Sequence, residues 1–114
     1  LSVLEATGVH PSCPMTLNAW DDAIVPRYRE LAARLHAHGM RVFSQLNHLG
    51  LDGHARGERP WSASALVAPW SGLRAVAMNP VQVDAVVDGF AQAARRARDG
   101  GLDGVEVHCA HGHL

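Results

Sequence analysis

The spacing of apolar residues alternates between two periods along this chain, which separates predicted strands from predicted helices. Apolar runs over Leu1 to Ala6, Arg41 to Leu46 and Leu102 to His108 predict three strands. Between them, apolar residues recur at helical spacing in two segments: Ile24, Tyr28, Leu31, Leu35 and His38, then Val83, Val86, Val87, Phe90, Ala94 and Ala97. The order strand, helix, strand, helix, strand predicts an α/β fold with a parallel sheet and right-handed crossovers.

Turn-forming residues mark the ends of both predicted helices. The pair Asp21-Asp22 suits a helix entrance, and Pro26 is tolerated only within the first turn. Gly39 is expected to cap the first helix at its carboxyl end. Pro80 opens the second helix, and Gly100-Gly101 stop it. Three arginines near that end favour a solvated face that suits the helix dipole over an anion site: Arg95, Arg96 and Arg98.

Two connections are predicted to lack regular structure. Thr7 to Trp20 contains glycine, two prolines and asparagine, and is expected to be a loop. Leu49 to Asn79 contains four glycines, two prolines and two tryptophans. Irregular loops of that length are uncommon in compact domains unless they serve a site. The alternative is a solvated excursion, in which we expect Trp61 and Trp70 to pack down as anchors.

Composition narrows the class of protein. The chain has 114 residues, 47% of them hydrophobic, with 10 basic and 11 acidic side chains, so it offers no basic field for nucleic acid. No apolar run approaches the ~20 residues of a membrane-spanning helix, and no secretory signal pattern is present. Cys13 and Cys109 lack CxxC spacing and predict no disulfide framework, so a reducing cytoplasm is the expected compartment.

The two ends of the sequence lie next to predicted strands. The chain begins without methionine inside one strand and ends directly after another. We therefore expect residues 1–114 to be an internal fragment of one domain in a longer protein. When these residues stand alone, sheet edges and helix faces are left uncovered, which predicts poor folding.

The carboxyl ends of all three predicted strands turn polar or small. They end at Ala6-Thr7, at Gln45 to His48, and at His108 with His111 just beyond. Parallel α/β sheets gather ligand-binding residues at these ends, although each group also has a structural interpretation as packing or hydrogen bonding. A buried histidine needs partners for its ring nitrogens, so the last pair indicates a ligand oxygen or a metal, with a solvated turn as the alternative.

Strand periodicity divides the last strand into two faces. Val105 and Val107 share one face and are expected to pack against helices. Glu106 and His108 share the other face, towards the interior of a barrel. A carboxylate there needs a partner, either as a hydrogen-bonded support for a site or as a purely structural buried pair.

Three segments follow a known set of motifs. Leu4 to Val9 is similar to a strand ending in E-A-T-A-V, and Gln45 to Gly50 to Q-L-x-H-x-G. Gly101 to Leu114 follows G-F-D-G-V-E-I-H-x-A-H-G-Y-L almost throughout. In this pattern the chain resembles the old yellow enzyme family of flavin-dependent oxidoreductases, in the branch of bacterial ene-reductases, 2,4-dienoyl-CoA reductases and trimethylamine dehydrogenases. The resemblance implies a partial FMN-binding TIM (β/α)8 barrel, comprising roughly strands two to four.

The resemblance also implies an activity and a set of residue roles. An enzyme of this kind reduces C=C bonds activated by a carbonyl group, or dienoyl-CoA substrates, with NAD(P)H reducing FMN first. Ala6 matches the small residue whose backbone lies near the flavin, and Gln45 matches the glutamine that binds the polar edge of its ring. His108 and His111 match the pair that grips the substrate carbonyl oxygen, where two N–H donors stabilise developing negative charge.

Two positions depart from the family pattern. His113 stands where tyrosine, the proton donor in many members, is usual. It is a candidate catalytic acid, although a spectator role, with water or another side chain as the acid, is preferred. Leu51 replaces the arginine that follows Q-L-x-H-x-G in many relatives, so a flavin or substrate role for that loop is in doubt.

Other functions stay open at this stage. A trimethylamine dehydrogenase-like amine oxidoreductase has the same fold and adds an iron–sulfur cluster and a second nucleotide-binding domain, and the dienoyl-CoA branch adds a cluster and FAD. A metal-binding module is a rival because four potential ligands crowd the last strand end, although the usual spacings are missing: His108, Cys109, His111 and His113. A degenerate barrel without catalysis is a third alternative. The expected partner is a small-molecule substrate, with a homo-oligomer compatible with the sequence.

Overall fold

Residues 1–114 are all described by a computed structural model, and its backbone follows the predicted order of strands and helices. The elements are β1 (Ser2–Gly8), β2 (Leu17–Asn18), α1 (Ile24–His36), β3 (Val42–Asn47), a short 3-10 turn (Gly50–Asp52), β4 (Trp61–Ser62), β5 (Val76–Ala77), α2 (Pro80–Asp99) and β6 (Gly104–Val107). The main sheet has the strand order β2-β1-β3-β6 and is parallel throughout. The predicted α/β class is confirmed, with the two long helices and three main strands in place.

The segment Thr7 to Trp20 is more ordered than predicted. Thr7 and Gly8 continue β1, and the short strand β2 pairs with them in parallel. The side chain of Asn18 makes this possible, because its amide both accepts from and donates to the backbone of Met15, at 2.8 Å each. The prediction of an unbroken loop was therefore wrong over these residues.

The long excursion from Leu49 to Asn79 also contains regular structure. Its strands β4 and β5 form a separate parallel pair in which Trp61 faces Val76. Trp61 is half-buried, as an anchor should be. Trp70 is 88% exposed, so its prediction as a second anchor was wrong. It lies near the tip of the excursion, beyond the isolated bridge between Val67 and Arg74, where no core residue can reach it.

Helix α1 packs on the sheet through Ile24, Tyr28 and Ala32. Asp21 does not cap the helix directly; its carboxylate accepts from the backbone N–H of Ala23 at 2.8 Å and shapes the preceding turn. His38 is exposed, contrary to the prediction, because the helix ends at His36 and His38 lies in the turn that follows.

Helix α2 begins with a reciprocal capping box between Asn79 and Gln82, with Pro80 in its first turn. Its buried residues are Val86, Ala93 and Ala97. Two residues of the predicted apolar face are instead exposed, Val83 by 42% and Val87 by 62%. Small alanines let the helix approach the sheet on one side, which leaves the valine side without a partner. Neither helix has the length and apolar character required to cross a membrane.

The arginines of α2 fasten this helix to the start of α1. Arg96 lies in the last turn, as the dipole argument predicts, but its side chain is only 12% exposed. Arg95 and Arg96 both bind the carboxylate of Asp22, and Arg96 also donates to the carbonyl of Ala19 at 3.1 Å. The prediction of a solvated face thus fails for Arg96 and holds for Arg98, whose side chain is 76% exposed.

A β-bulge in β1 sets which residues face the helices. Leu4 pairs with Ser44 and Thr7 pairs with Leu46, so two residues of β1 between these pairs lie opposite one residue of β3. Since Ser44 and Leu46 share a face, Leu4 and Thr7 share that face too. Ala6 is consequently turned towards the opposite face, which no helix covers.

A chain of three hydroxyl groups lies under α1. Ser44 is fully buried, with its hydroxyl 3.1 Å from that of Thr7 and 3.0 Å from that of Tyr28. These bonds satisfy polar groups that burial would otherwise penalise. The bulged end of β1 is therefore fixed against β3, which holds the carboxyl ends of these two strands at the same level.

Candidate active site at the strand ends

Three imidazole rings come together immediately after β6. The ring centroids of His108 lie 5.1 Å from those of His111 and 4.9 Å from those of His113, and the last two rings are 5.9 Å apart. His108 and His113 are stacked, with 28° between their planes. The structure thus brings together the three histidines singled out in the sequence.

The backbone of His111 explains how these rings converge. His111 is the one non-glycine residue with a positive φ, 60°, and Gly112 follows it with φ 75°. Two successive left-handed residues reverse the chain, and the backbone N–H of His113 bonds to the carbonyl of Ala110 at 3.2 Å. A histidine in this conformation is strained, and such strain is concentrated at functional sites.

Hydrogen bonds determine which ring nitrogens of His108 and His111 carry a proton. The backbone N–H of Ala110 lies 3.5 Å from Nδ1 of His108 and makes that nitrogen the acceptor. Nε2 of His108 then carries the proton and donates to Nδ1 of His111 at 3.1 Å. The remaining N–H of His111, on Nε2, has no protein partner. The pair therefore offers an N–H donor at the surface.

His113 is held from below by Asn47 at the end of β3. The amide nitrogen of Asn47 donates to Nδ1 of His113 over 3.3 Å, which places the proton of a neutral His113 on Nε2. Burial lowers the pKa of His113; positive charge on His108 lowers it further, while the carboxylate of Asp52 opposes this. These effects together favour the uncharged form of His113.

Gln45 and Glu106 form a cross-strand pair on the uncovered face of the sheet. They are register partners in β3 and β6, and the amide nitrogen of Gln45 donates to the carboxylate of Glu106 at 2.5 Å. This bond supplies the partner that the carboxylate needs and fixes the direction of the amide. Ala6, on the same uncovered side, has only a methyl side chain and leaves the backbone of β1 approachable.

Val107 corrects one expectation about β6. Val105 packs against the core, as predicted, but Val107 is 55% exposed. Because β6 is the last strand of the sheet, nothing in these 114 residues covers it beyond Val105.

Residues outside the last motif were less accessible to sequence reasoning. Asn47 ends β3 and His48 follows it; both were noted only as polar or loop-forming residues, yet both are buried. The carbonyl oxygen Oδ1 of Asn47 is buried without a hydrogen-bond partner. His48, Ser12 and His10 form a connected chain of hydrogen bonds. The position of Asn47 and His48 directly after the apolar run of β3 was the available signal, but their partners are distant in sequence.

Neither cysteine forms a disulfide bond. Cys13 is buried and Cys109 is exposed, and both are free. Burial raises the pKa of the Cys13 thiol, although the N–H of Leu49 bonds to its sulfur. No group of three or more histidine, cysteine, aspartate or glutamate side chains is arranged to hold a metal ion.

The site chemistry also fits a flavin. An isoalloxazine ring has donors and acceptors along one edge and a flat apolar face. Gln45 offers an amide whose nitrogen is held by Glu106 and whose oxygen has no protein partner. Ala6 is small enough for a ring to approach the backbone. The donor set therefore suits this cofactor, with Gln45 and Ala6 as the residues that would hold it.

Comparison with known proteins places the chain in a family. A model of the NADH:flavin oxidoreductase / NADH oxidase family matches residues 3–114. The multifunctional alkene reductase/demethylase OYE of Caballeronia cordobensis is 39% identical over 108 residues, which are 91% of this chain and 16% of that protein. The NADPH dehydrogenase of Listeria welshimeri is 34% identical over 117 residues, covering 100% of this chain and 34% of that protein.

A solved structure shows the same fold. The old yellow enzyme homologue from Zymomonas mobilis superposes with a TM-score of 0.86 and 30% identity, covering 98% of this chain and 36% of the other. The matched neighbours are TIM barrels, so the chain is a partial barrel and spans about a third of such a structure. The family match covers nearly the whole chain, and the chain belongs to the NADH:flavin oxidoreductase / NADH oxidase family.

Proposed function

We propose that residues 1–114 supply strands two to four of a single FMN-binding barrel that reduces C=C bonds activated by a carbonyl group. NAD(P)H is the proposed reductant. The observation that carries the proposal is the pair His108 and His111 at the end of β6, hydrogen-bonded at 3.1 Å and positioned by a strained turn. Family membership supports the flavin chemistry.

The two histidines act on the substrate oxygen. In the structure the proton on Nε2 of His108 is donated to His111. A carbonyl oxygen that enters between the rings replaces His111 as the acceptor, and Nε2 of His111 is free to donate as well. Both N–H groups then stabilise negative charge on that oxygen more strongly in the transition state than in the ground state.

Bound FMN supplies hydride chemistry. Gln45 would hold the polar edge of the cofactor through its amide, which Glu106 orients. Ala6 allows close approach because the β-bulge turns it to the uncovered face. The phosphate-binding part of the cofactor site belongs to strands outside these residues.

His113 is proposed to bind and orient the substrate rather than to act as the acid. Its pKa is lowered, and Asn47 keeps Nδ1 as an acceptor. A neutral imidazole N–H is a weak acid, so His113 contributes a fixed donor beside His108. The proton for the substrate α-carbon then comes from water or from a group beyond this chain.

The proposal is tested by an anaerobic titration of the full-length protein, following its visible flavin absorbance. Addition of NADH or NADPH should bleach the band, and a simple cyclic enone should restore it. A flavin that bleaches but ignores cyclic enones and dienoyl-CoA alike would contradict carbonyl-activated reduction. A colourless protein that takes up no added FMN would contradict the cofactor assignment.

An amine oxidoreductase on the same fold is the second candidate. The observation that favours it is the similarity to a relative described as both an alkene reductase and a demethylase. Imidazole N–H donors suit an oxyanion better than a cationic amine, which supports the reductase. Bleaching by a methylated amine without NAD(P)H would reverse this order. An iron–sulfur cluster and FAD, if the protein carries them, bind outside these residues.

A reducing compartment such as the cytoplasm is proposed for the protein. Cys13 and Cys109 are both free thiols. Its proposed partner is a small-molecule enone or dienoyl-CoA.

A further inference from the structure

A second cluster of polar side chains lies near the three histidines, in the loops that follow β1 and β3. Its innermost member is His48, which is 0% exposed. The backbone N–H of Gly50 donates to Nδ1 of His48 at 3.1 Å. Burial lowers the pKa of His48 to about 4, so the ring is neutral and its proton is on Nε2.

A chain of hydrogen bonds runs outward from His48 through Ser12 to His10. Nε2 of His48 donates to the hydroxyl of Ser12 at 2.9 Å. The hydroxyl lies 2.8 Å from Nδ1 of His10, which also accepts from the backbone N–H of Ser12 at 3.2 Å. Backbone donors thus fix the tautomers at both ends of the chain. The one polar group of His10 left over is the N–H on Nε2.

His10 lines a cavity of about 270 Å³ together with Arg59, Glu58 and Trp61. The rings of His10 and Trp61 are 5.2 Å apart at 32°. Arg59 is held by two backbone carbonyls, those of Arg74 at 2.9 Å and Ala75 at 3.0 Å. No carboxylate lies within ion-pair distance of Arg59, although Glu58 lines the same cavity.

We propose that this cavity is a binding subsite for a small oxyanion, a carboxylate or phosphate group, recognised by the N–H of His10 and the guanidinium of Arg59. Both donors are fixed before a ligand arrives, which reduces the entropy lost on binding. A fixed guanidinium suits either anion, because its N–H groups form a planar fork. The site is separate from the histidine cluster and does not depend on the reaction proposed there.

The occupant can belong to the substrate or to the nicotinamide nucleotide, and simple anions distinguish these sources. Acetate and inorganic phosphate are titrated into the full-length protein at constant ionic strength, following the emission of Trp61 with Trp61→Phe as the blank. A saturable change with acetate alone indicates a substrate carboxylate. Stronger binding of phosphate indicates a nucleotide.

Matched variants test the two donors. Arg59→Gln should weaken binding of the anion about tenfold or more, because a charge-assisted hydrogen bond is lost. Arg56→Gln, on the exposed neighbouring loop, should leave the affinity for the anion unchanged. His10→Asn retains a polar group near Nδ1 and should weaken binding, while His10→Gln retains one near Nε2 and should bind within about threefold of wild type. Glu58→Gln should strengthen binding, since a neighbouring negative charge is removed.

Two results would overturn the proposal. One is the absence of any saturable signal with either anion. The other is anion binding that is equal in Arg59→Gln and Arg56→Gln. If Arg59→Gln fails to fold, the His10→Asn and His10→Gln pair decides, and equal affinity in these two overturns it. Loss of enone reduction alone bears only on the proposed function.

Discussion

Nε2 of His108 and Nδ1 of His111 lie 3.1 Å apart, so each imidazole is the partner of the other. The sequence places them three residues apart and predicts that both face a ligand oxygen. The structure adds that His111 must be held in a left-handed conformation for the rings to meet. The two residues therefore act as a unit: the N–H of His108 is bonded to His111, and the N–H of His111 is left for a ligand.

We expect each of His108→Ala and His111→Ala to lower kcat for enone reduction about 10²-fold in the full-length protein, because each removes one donor worth roughly 3 kcal/mol. The double variant should lose less than the product of the two, since the residues act together. Phenolic ligands should weaken in parallel. Stopped-flow measurement of flavin reoxidation checks the first expectation.

His38→Ala is the matched control for these variants, because His38 is exposed and lies in the turn after α1. Its reoxidation rate should equal that of the wild type. Undiminished enone reduction in the double variant would remove the assigned role from both histidines.

Asp103 joins three elements at the amino end of the sheet, and its loss should destabilise the protein. Its carboxylate accepts from Arg41 at 2.6 Å, from the backbone N–H of Val42 at 2.9 Å and from His36 at 2.8 Å. The bond from Arg41, followed by those from Val42 and His36, holds the pKa of Asp103 well below its usual range. Asp103→Asn should lower the free energy of unfolding, measured by urea denaturation.

The pH dependence of this effect has a definite sign. A carboxylate with a lowered pKa in the folded state contributes stability above its unfolded pKa and loses it as the pH falls towards its folded pKa. The destabilisation by Asp103→Asn should therefore be full at neutral pH and shrink below about pH 4. Asp84→Asn, at an exposed position of α2, is the control. A deficit that is independent of pH would show that the charge of Asp103 is not what stabilises the fold.

The sequence predicted the positions of the helices and strands better than the contacts between them. Apolar spacing and turn residues placed both helices and three strands to within a few residues. They could not show the bulge in β1, because it depends on how Leu4 and Thr7 register with another strand. For the same reason the sequence found His108 and His111 but missed Asn47, whose role depends on a contact 66 residues away.

The buried His48 should make stability depend on mild acid. Its pKa is lowered to about 4 by burial and by positive charge on His10, whereas an unfolded histidine titrates near pH 6.5. The unfolded chain thus binds more protons between about pH 6.5 and 4, and stability must fall as the pH falls through that range.

His48→Gln should remove this slope. The variant has no imidazole to titrate, so its unfolding free energy, though lower at pH 7, should change less than that of the wild type between pH 7 and 4.5. Guanidinium denaturation at a series of pH values provides the measurement, with His38→Gln as the control. Parallel curves for wild type and His48→Gln would mean that His48 is not a source of the acid sensitivity.

Residues 1–114 should fold poorly by themselves. Strand β6 presents an unpaired edge, and three apolar side chains are 42% to 62% exposed: Val83, Val87 and Val107. A parallel sheet is stable when both faces are covered, and here helices cover only one. The expected result is a poorly dispersed NMR spectrum and no retention of FMN on gel filtration. A well-dispersed spectrum from the isolated chain would show that the helix-covered face alone supplies enough burial, and that the interior face tolerates water.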